Sequence, residues 1–446
     1  MINWLAKKIA DPLADESINA LMTNDYAQNP LVLLTAAQKL GLAALVEAGM
    51  RAQTGKEIGR PLGSPVVLSP WSQVLLSPKQ LFQLPTPSTS QISTTTVVGP
   101  DAKNPLTLEI PVMITAMSYG GSLSLQMKMA LAKGAAMAGT STNTGESAVT
   151  DEERDAAKYL VGQYNRGGWL TSAEQLRRVD AIEVQLGQGA WGGAVESTKQ
   201  AATMEKHLRK AWHLKEDQDA TIRARMPGVQ TSGDIIDLVK RLKKTYEVPV
   251  GIKIAGTDYI EYELEVAALA GVDFLTVDGS EGGTAIAPVT LEDDVGLPTL
   301  HSLVRTVDWL DTNGLKDKCS VIATGGLSTP GHFLKALALG ATAVAIGSIA
   351  VMSALHDQLD KTVPQSTALQ LALYNGINAD KLDIDQAALS VANFLKSCAV
   401  EMKLAAQAVG RSSLAELSRD DLVTVDKDLA EFAGIRYAGS HRPKRH

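Results

Sequence analysis

The 446-residue sequence predicts an α/β fold, a (β/α)8 TIM barrel with an N-terminal helical and extended arm and a C-terminal helical tail. Three observations predict it. From residue 110 onward, short β-branched runs alternate with helical periods, the pattern of parallel strands joined by right-handed crossovers. Eight such runs are present, the number that closes a barrel. Segments rich in glycine, hydroxyls and amides fall at the C-terminal ends of the runs, where barrels build their active sites. A doubly wound open sheet is the alternative. No G-x-G-x-x-G turn follows the first run, which weakens the dinucleotide-binding form of that alternative.

The elements follow in order. Residues 1–105 form the arm. Its first 60 or so residues are read as helical, with two helices meeting near Gly41 inside the apolar stretch 31–48. Gln38, Lys39 and Glu47 interrupt that stretch, which is shorter than the ~20 apolar residues a membrane span needs. Pro61, Pro65, Pro70 and Pro78 then forbid a regular helix, so residues 61–105 are read as extended chain with short strands. Residues 106–382 form the barrel. Its strands are expected at 110–116, 139–143, 158–163, 180–186, 248–254, 272–279, 319–326 and 342–348, with helices over 233–246, 259–270, 299–312 and 329–339. Two long insertions, 187–230 and 280–299, follow the fourth and sixth strands. Residues 383–446 are read as a helical extension ending in a basic, solvated terminus.

Composition removes several classes of function. The net charge of −7 argues against a dedicated nucleic-acid binder. A hydrophobic content of 45% excludes disorder of the whole chain. Two cysteines, Cys319 and Cys398, exclude a disulfide scaffold and any four-cysteine metal site made by one chain. The seven histidines show no metal-ligand spacing, and no metal is expected. The opening MINWLAKKIADPLADES lacks the apolar core of a signal peptide, so a cytoplasmic protein is expected.

The chemistry-bearing residues lie at the strand ends. The seventh and eighth strands end in Gly325-Gly326 and Gly347-Ser348, each just before a helix. Helix N-termini attract phosphate and glycine lets the backbone approach it, although the same glycines also suit plain tight turns. The phosphate could belong to a cofactor or to a substrate. Elsewhere the ends carry AMSYGG (116–121), TNTGE (142–146), QLGQGA (185–190) and DGSEGGTAIAP (278–288), with Lys253 inside the fifth strand. Such a ring of amides and hydroxyls suits a flat heterocycle. The lysine reads as a cofactor partner, a Schiff-base residue or a salt-bridged core residue. The charged block 199–225 reads as a solvated helical insertion or as a surface for an acidic electron donor.

At these residues the chain resembles the FMN-binding (synthase) domain of the glutamate synthase family. The resemblance runs through AMSYGG, TNTGES, IEVQLGQGA, VGIKIAG, VDGSEGGTAIAP, IATGGLSTPGHFLKALALGATAVAIGS and VANFLKSCAVEMKLAAQAVGRSSLAEL, over about residues 100 to 420. It implies an FMN-binding barrel. It implies that Ala116, Met117 and Ser118 lie along the flavin, with Asn143, Thr144, Gln163, Gln185, Gln188, Gly282 and Gly283 around it. Lys253 is implied at the flavin N1/C2 edge, and Gly325, Gly326, Gly347 and Ser348 at its phosphate. Glu146 is implied on the substrate side, and Arg223, four residues before Pro227, as the clamp on a substrate carboxylate.

The chain also departs from the family. It opens without the cysteine-nucleophile glutaminase domain, so ammonia is expected free or from a partner. The three cysteines of the family's [3Fe–4S] cluster are absent from AVMSALHDQLDKTVP. Two family lysines read Gln185 and Trp191 here, which puts a dicarboxylate substrate in question. The leading expectation is an FMN-dependent oxidoreductase that passes a hydride from reduced FMN to an imino acid, 2-iminoglutarate or a related one. The alternatives are an FMN-dependent amine or N-methyl amino acid transferase or dehydrogenase subunit, and a flavin-carrying electron-transfer subunit of a larger complex. A small keto or imino acid or amine substrate, a reductase or ammonia-supplying partner subunit, and a homo-oligomer are expected; nucleic acid and a membrane span are not.

Overall fold

A computed structural model describes residues 15–29, 32–189, 196–284, 287–363 and 365–442. The chain divides into two compact units, Met1–Gly59 and Arg60–His446. In the first, helices Val32–Leu40 and Leu42–Thr54 flank Gly41, whose φ of 84° breaks the helical run between them. Among the described residues, no helix is long and apolar enough to cross a membrane.

The second unit is built on eight parallel strands. They are β1 (Val112–Ile114), β2 (Ser141–Asn143), β3 (Tyr159–Tyr164), β4 (Ala181–Gln185), β5 (Val250–Ala255), β6 (Phe274–Asp278), β7 (Ser320–Thr324) and β8 (Ala343–Ile346). All eight fall on the runs anticipated from sequence. Their order is β1-β8-β7-β6-β5-β4-β3-β2, and a single parallel bridge between Ala116 and Asn143 joins the two ends into a ring. A helix follows each strand: α1 (Leu125–Met137), α2 (Asp151–Ala156), α3 (Ala173–Leu176), α4 (Ser232–Thr245), α5 (Ile260–Ala270), α6 (Thr299–Thr312), α7 (Pro330–Ala338) and α8 (Ser348–Leu355). Every residue of β4 through β8 is buried, as expected of parallel strands covered on both faces.

The helix starts are written in the local sequence. Ser124, Thr150, Ser172, Thr231 and Thr329 cap α1, α2, α3, α4 and α7, each accepting a backbone N–H from the first turn. Outside the strands, their apolar side chains meet those of the helices, such as Leu131, Leu238, Leu264, Leu303 and Leu334. Inside, the N-terminal end of the ring is filled by Met113, Val161, Phe274 and Ile322. Val98, Leu106 and Leu108, from the antiparallel pair Thr96–Val98 and Leu106–Leu108, close it from below.

The tail is not separate from this body. Helix α9 (Ile384–Ala408) packs along α1, where a Cβ on Gly134 would stand 2.7 Å from the Cβ of Val391. Strand Leu422–Thr424 pairs antiparallel with Val74–Leu76, so residues from before and after the barrel share one small sheet. Cys319 and Cys398 are both buried, and burial pushes their thiols up to about 12 and about 11.

Candidate active site

A cavity of about 560 Å³ lies over the C-terminal ends of the strands. This is within the ~300–1,000 Å³ range of small-molecule sites. One end is built of glycine. Gly325 and Gly326 follow β7 with φ of 112° and 67°, and a Cβ on either would stand 2.5 Å from Thr299 Oγ1 or 2.6 Å from Glu281 Cβ. Gly347 opens α8 without a side-chain cap, and Ser348 follows it. All four line the cavity. Uncapped N–H groups at a helix start, with glycine turns beside them, are features that suit a phosphate.

The arm reaches this end as a strap. Pro61, Leu62, Ser64, Val66, Val67, Ser69 and Trp71 all line the cavity. The carbonyl of Leu62 accepts from Ser348 Oγ at 3.0 Å. Gly63 crosses so close to Gly283 that a Cβ on it would stand 2.8 Å from the Gly283 Cα. Ser69 N–H donates to Glu281 Oε1 at 2.7 Å, and Ser69 Oγ accepts from the N–H of Leu300 at 3.1 Å. Further back, Arg60 pairs with Glu292 at 3.3 Å and with Asp293, which also accepts from Ser64 Oγ. Nothing in the prolines of the sequence revealed this covering role.

Below lies a polar floor. Lys253 on β5 donates to Asp278 Oδ2 at 2.8 Å at the end of β6. Burial pushes the Lys253 ammonium down, but the Asp278 and Glu183 carboxylates outweigh it and hold its pKa above the ordinary lysine value. Glu183 on β4 is buried and accepts from Asn143 Nδ2 (3.1 Å), Gln163 Nε2 (2.9 Å) and Thr276 Oγ1 (2.7 Å). Glu183 and Asp278 therefore organise residues whose partners the sequence could not assign. Ala116, Met117, Ser118, Gln163, Gln188, Lys253, Gly282 and Gly283 line the cavity. Asn143, Thr144 and Gln185 are buried behind that lining. Gln185 stands beside Lys253 in the β4–β5 register.

The cavity is also lined by Glu146, whose two carboxylate oxygens each accept from Arg166 at 3.1 Å. Arg166 is itself buried and lines the cavity, and sequence reasoning missed it. Trp169 and Trp212 stack face to face with centroids 3.6 Å apart, and both line the cavity. Trp212 Nε1 donates to Ser147 Oγ at 2.8 Å.

The insertion after β4 proves to be a wall of the site. Strands Ser197–Lys199 and Ala220–Ile222 form an antiparallel ribbon with Ser197 opposite Ile222 and Lys199 opposite Ala220. These four residues line the cavity. Thr198 and Thr221, on the alternate face, are joined by their hydroxyls at 2.9 Å. The reading of 199–225 as a solvated helical block is thus corrected: helix Lys206–Ala211 is one part of it, and the ribbon is another. Arg223 comes one residue after Ile222, is exposed and does not line the cavity. Trp191 lies outside the described residues.

Among the described residues, several buried polar atoms at this site have no hydrogen-bond partner: Gln163 Oε1, Asp278 Oδ1 and both amide atoms of Gln185. Orphaned buried atoms are rare in native folds and ask for a partner. Together with the glycine end, they fit a phosphorylated heterocycle such as FMN.

A closed parallel barrel whose cavity has a glycine-built end and a lysine–carboxylate floor defines an α/β-barrel enzyme. The family described as the conserved region in glutamate synthase matches residues 78–412. The chain belongs to this glutamate synthase family of oxidoreductases. It is 32% identical over 359 residues to a glutamate synthase large subunit-like protein of Rhizobium meliloti (strain 1021), covering 76% of this chain and 80% of that one. An archaeal-type glutamate synthase (NADPH) of Thermotoga maritima is 28% identical over 444 residues, with 93% and 86% covered. Among solved structures, the recombinant flavin-binding domain of baker's yeast flavocytochrome b2 shares the fold, with a TM-score of 0.51, 18% identity, and 84% and 80% covered.

Proposed function

We propose that the protein is an FMN-dependent oxidoreductase that forms an amino acid by hydride transfer to the carbon of an imino acid, 2-iminoglutarate or a related one. The observation that carries this reading is the single cavity joining the glycine phosphate end to the Lys253–Asp278 floor and the Glu146–Arg166 pair. Gly325, Gly326, Gly347 and Ser348 would hold the phosphate. Ala116, Met117, Ser118, Gln163, Gln188, Gly282 and Gly283 would line the ring, with Asn143, Thr144 and Gln185 supporting them from behind. FMN supplies hydride chemistry when bound.

The side chains contribute charge and proton handling. Lys253, kept as an ammonium by its carboxylate neighbours, would offer fixed positive charge to a bound flavin. Arg166 orients both oxygens of Glu146, so that carboxylate stands ready to receive and return protons of ammonia and imine. The strap and the stacked tryptophans would shield a bound imine from water and so from hydrolysis. A reductase that supplies electrons and a source of ammonia would complete the cycle.

The test begins with the visible spectrum of the purified protein, which should show bound flavin. Anaerobic photoreduction followed by ammonium plus a 2-oxo acid should restore the oxidised spectrum, and neither reagent alone should do so. The acids tried should run from 2-oxoglutarate to 2-oxo acids with apolar side chains. A flavin that stays reduced with every acid sinks the imine chemistry. Protein that takes up no FMN sinks the whole assignment.

A further inference from the structure

The cations of the cavity are unequally occupied. Among the described lining residues, Arg166 is committed to Glu146 and Lys253 to Asp278. Lys199 makes no ion pair among the described residues; its Nζ rests 3.9 Å from the centroid of the Tyr374 ring. Glu205 lies near enough to be felt electrostatically, but it accepts the Tyr119 hydroxyl at 2.7 Å instead. Lys199 is half-buried, and burial lowers its pKa, as expected of a cation that lacks a counter-ion.

The ribbon register fixes which residues share this face. Alternation along an antiparallel pair puts Lys199 and Ala220 side by side, next to Ser197 and Ile222. Arg223, one residue past the end of the strand, is exposed and does not line the cavity. The ribbon therefore gives the cavity one ammonium and an aliphatic surface, and keeps its arginine outside. The stacked Trp169–Trp212 pair and Leu373, with Ala220 and Ile222 of the ribbon, add apolar wall to the same cavity. A dicarboxylate would need a second uncommitted cation, and a buried carboxylate without one is expensive.

We propose, building on the imino-acid reading above, that the substrate is a monocarboxylate with a flat apolar side chain, an aromatic 2-oxo or amino acid, and that Lys199 is the residue that holds its carboxylate. The Trp169–Trp212 pair and Ile222 form the surface on which the side chain lies. Lys199 thus takes the place that the resemblance gave to Arg223.

Two acids that differ only at one end decide this: 2-oxo-4-phenylbutyrate and 2-oxoglutarate. Each is titrated into the oxidised protein as purified, followed by calorimetry and by quenching of tryptophan fluorescence. The phenyl acid should bind at least about tenfold more tightly, a difference of about 1.4 kcal/mol. Lys199→Met should weaken it by more than about tenfold, while Lys199→Arg restores most of the affinity, as a charge-assisted bond requires. The flavin spectrum and the thermal midpoint of both variants should match the parent. Tighter binding of 2-oxoglutarate, binding of neither acid, or a loss in Arg223→Ala that Lys199→Met does not share would overturn the proposal. The readout is binding rather than turnover. Protein without flavin therefore sinks the redox reading and leaves the comparison of the two acids able to decide this one.

Discussion

Lys253 is an ammonium in a place where burial opposes charge. Asp278 touches it, Glu183 lies near, and both carboxylates are themselves buried. The three groups are stable only together. Lys253→Met would leave two buried carboxylates without their counter-ion, and removing one partner of a buried pair typically costs about 3–5 kcal/mol. Urea unfolding should show that loss, and the variant should also purify with less flavin than Lys253→Arg. This residue was legible in the sequence because a lone lysine inside the apolar run VPVGIKI needs a reason. Arg166 was not. It stands in an ordinary turn, NRGG, and only the fold brings it to Glu146. Lys199 was hidden for a different reason. One cation among the many charges of 199–225 is indistinguishable until the strand register is known, and register is a pairing property that no single strand carries. Arg223 lies one residue past the ribbon strand, exposed and outside the cavity lining, a placement that likewise depends on the pairing.

At the scale of elements, the eight strands and the helices after β4 to β7 were legible because they repeat a local pattern. Observed α6 spans Thr299–Thr312, as anticipated, and α9 begins just after Asp383, which caps it. The strap was legible only as extended chain. Its contacts with Ser348, Glu281 and Gly283 join residues more than 200 positions apart. A second long-range device joins α1, α2 and β2. Lys128 on α1 is buried, pairs with Glu153 of α2 at 2.9 Å, and donates to the backbone carbonyl of Asn143 at 2.5 Å. Burial drives the pKa of Glu153 up, and Lys128 opposes that rise. Lys128→Met should therefore destabilise the protein by about 3–5 kcal/mol. Adding Glu153→Gln should recover part of the loss, because the uncompensated charge is then gone. Chemical denaturation of the three proteins measures both steps.

For the molecule as a whole, stability should depend on pH through Glu292, next to the root of the strap. Burial raises its carboxyl from 4.5 to about 7, with only partial relief from the N–H of Thr284 and from Arg60. A carboxyl raised in the folded state holds its proton more tightly there than in the unfolded chain. Its contribution is thus complete below about pH 4.5, falls as pH rises, and is lost above about pH 7. Unfolding midpoints measured across that window should decline more steeply for the parent than for Glu292→Gln; equal slopes would refute the assignment. The ring of strands has one further property. Seven of its joints are ladders of several residue pairs, whereas β1 and β2 meet through the bridge of Ala116 and Asn143. A ring with one thin joint opens there first. In deuterated water the amides at this seam should exchange ahead of those in β4 to β7, by local parting rather than global unfolding. The barrel would then breathe beside its own cavity, with Lys128 setting how often.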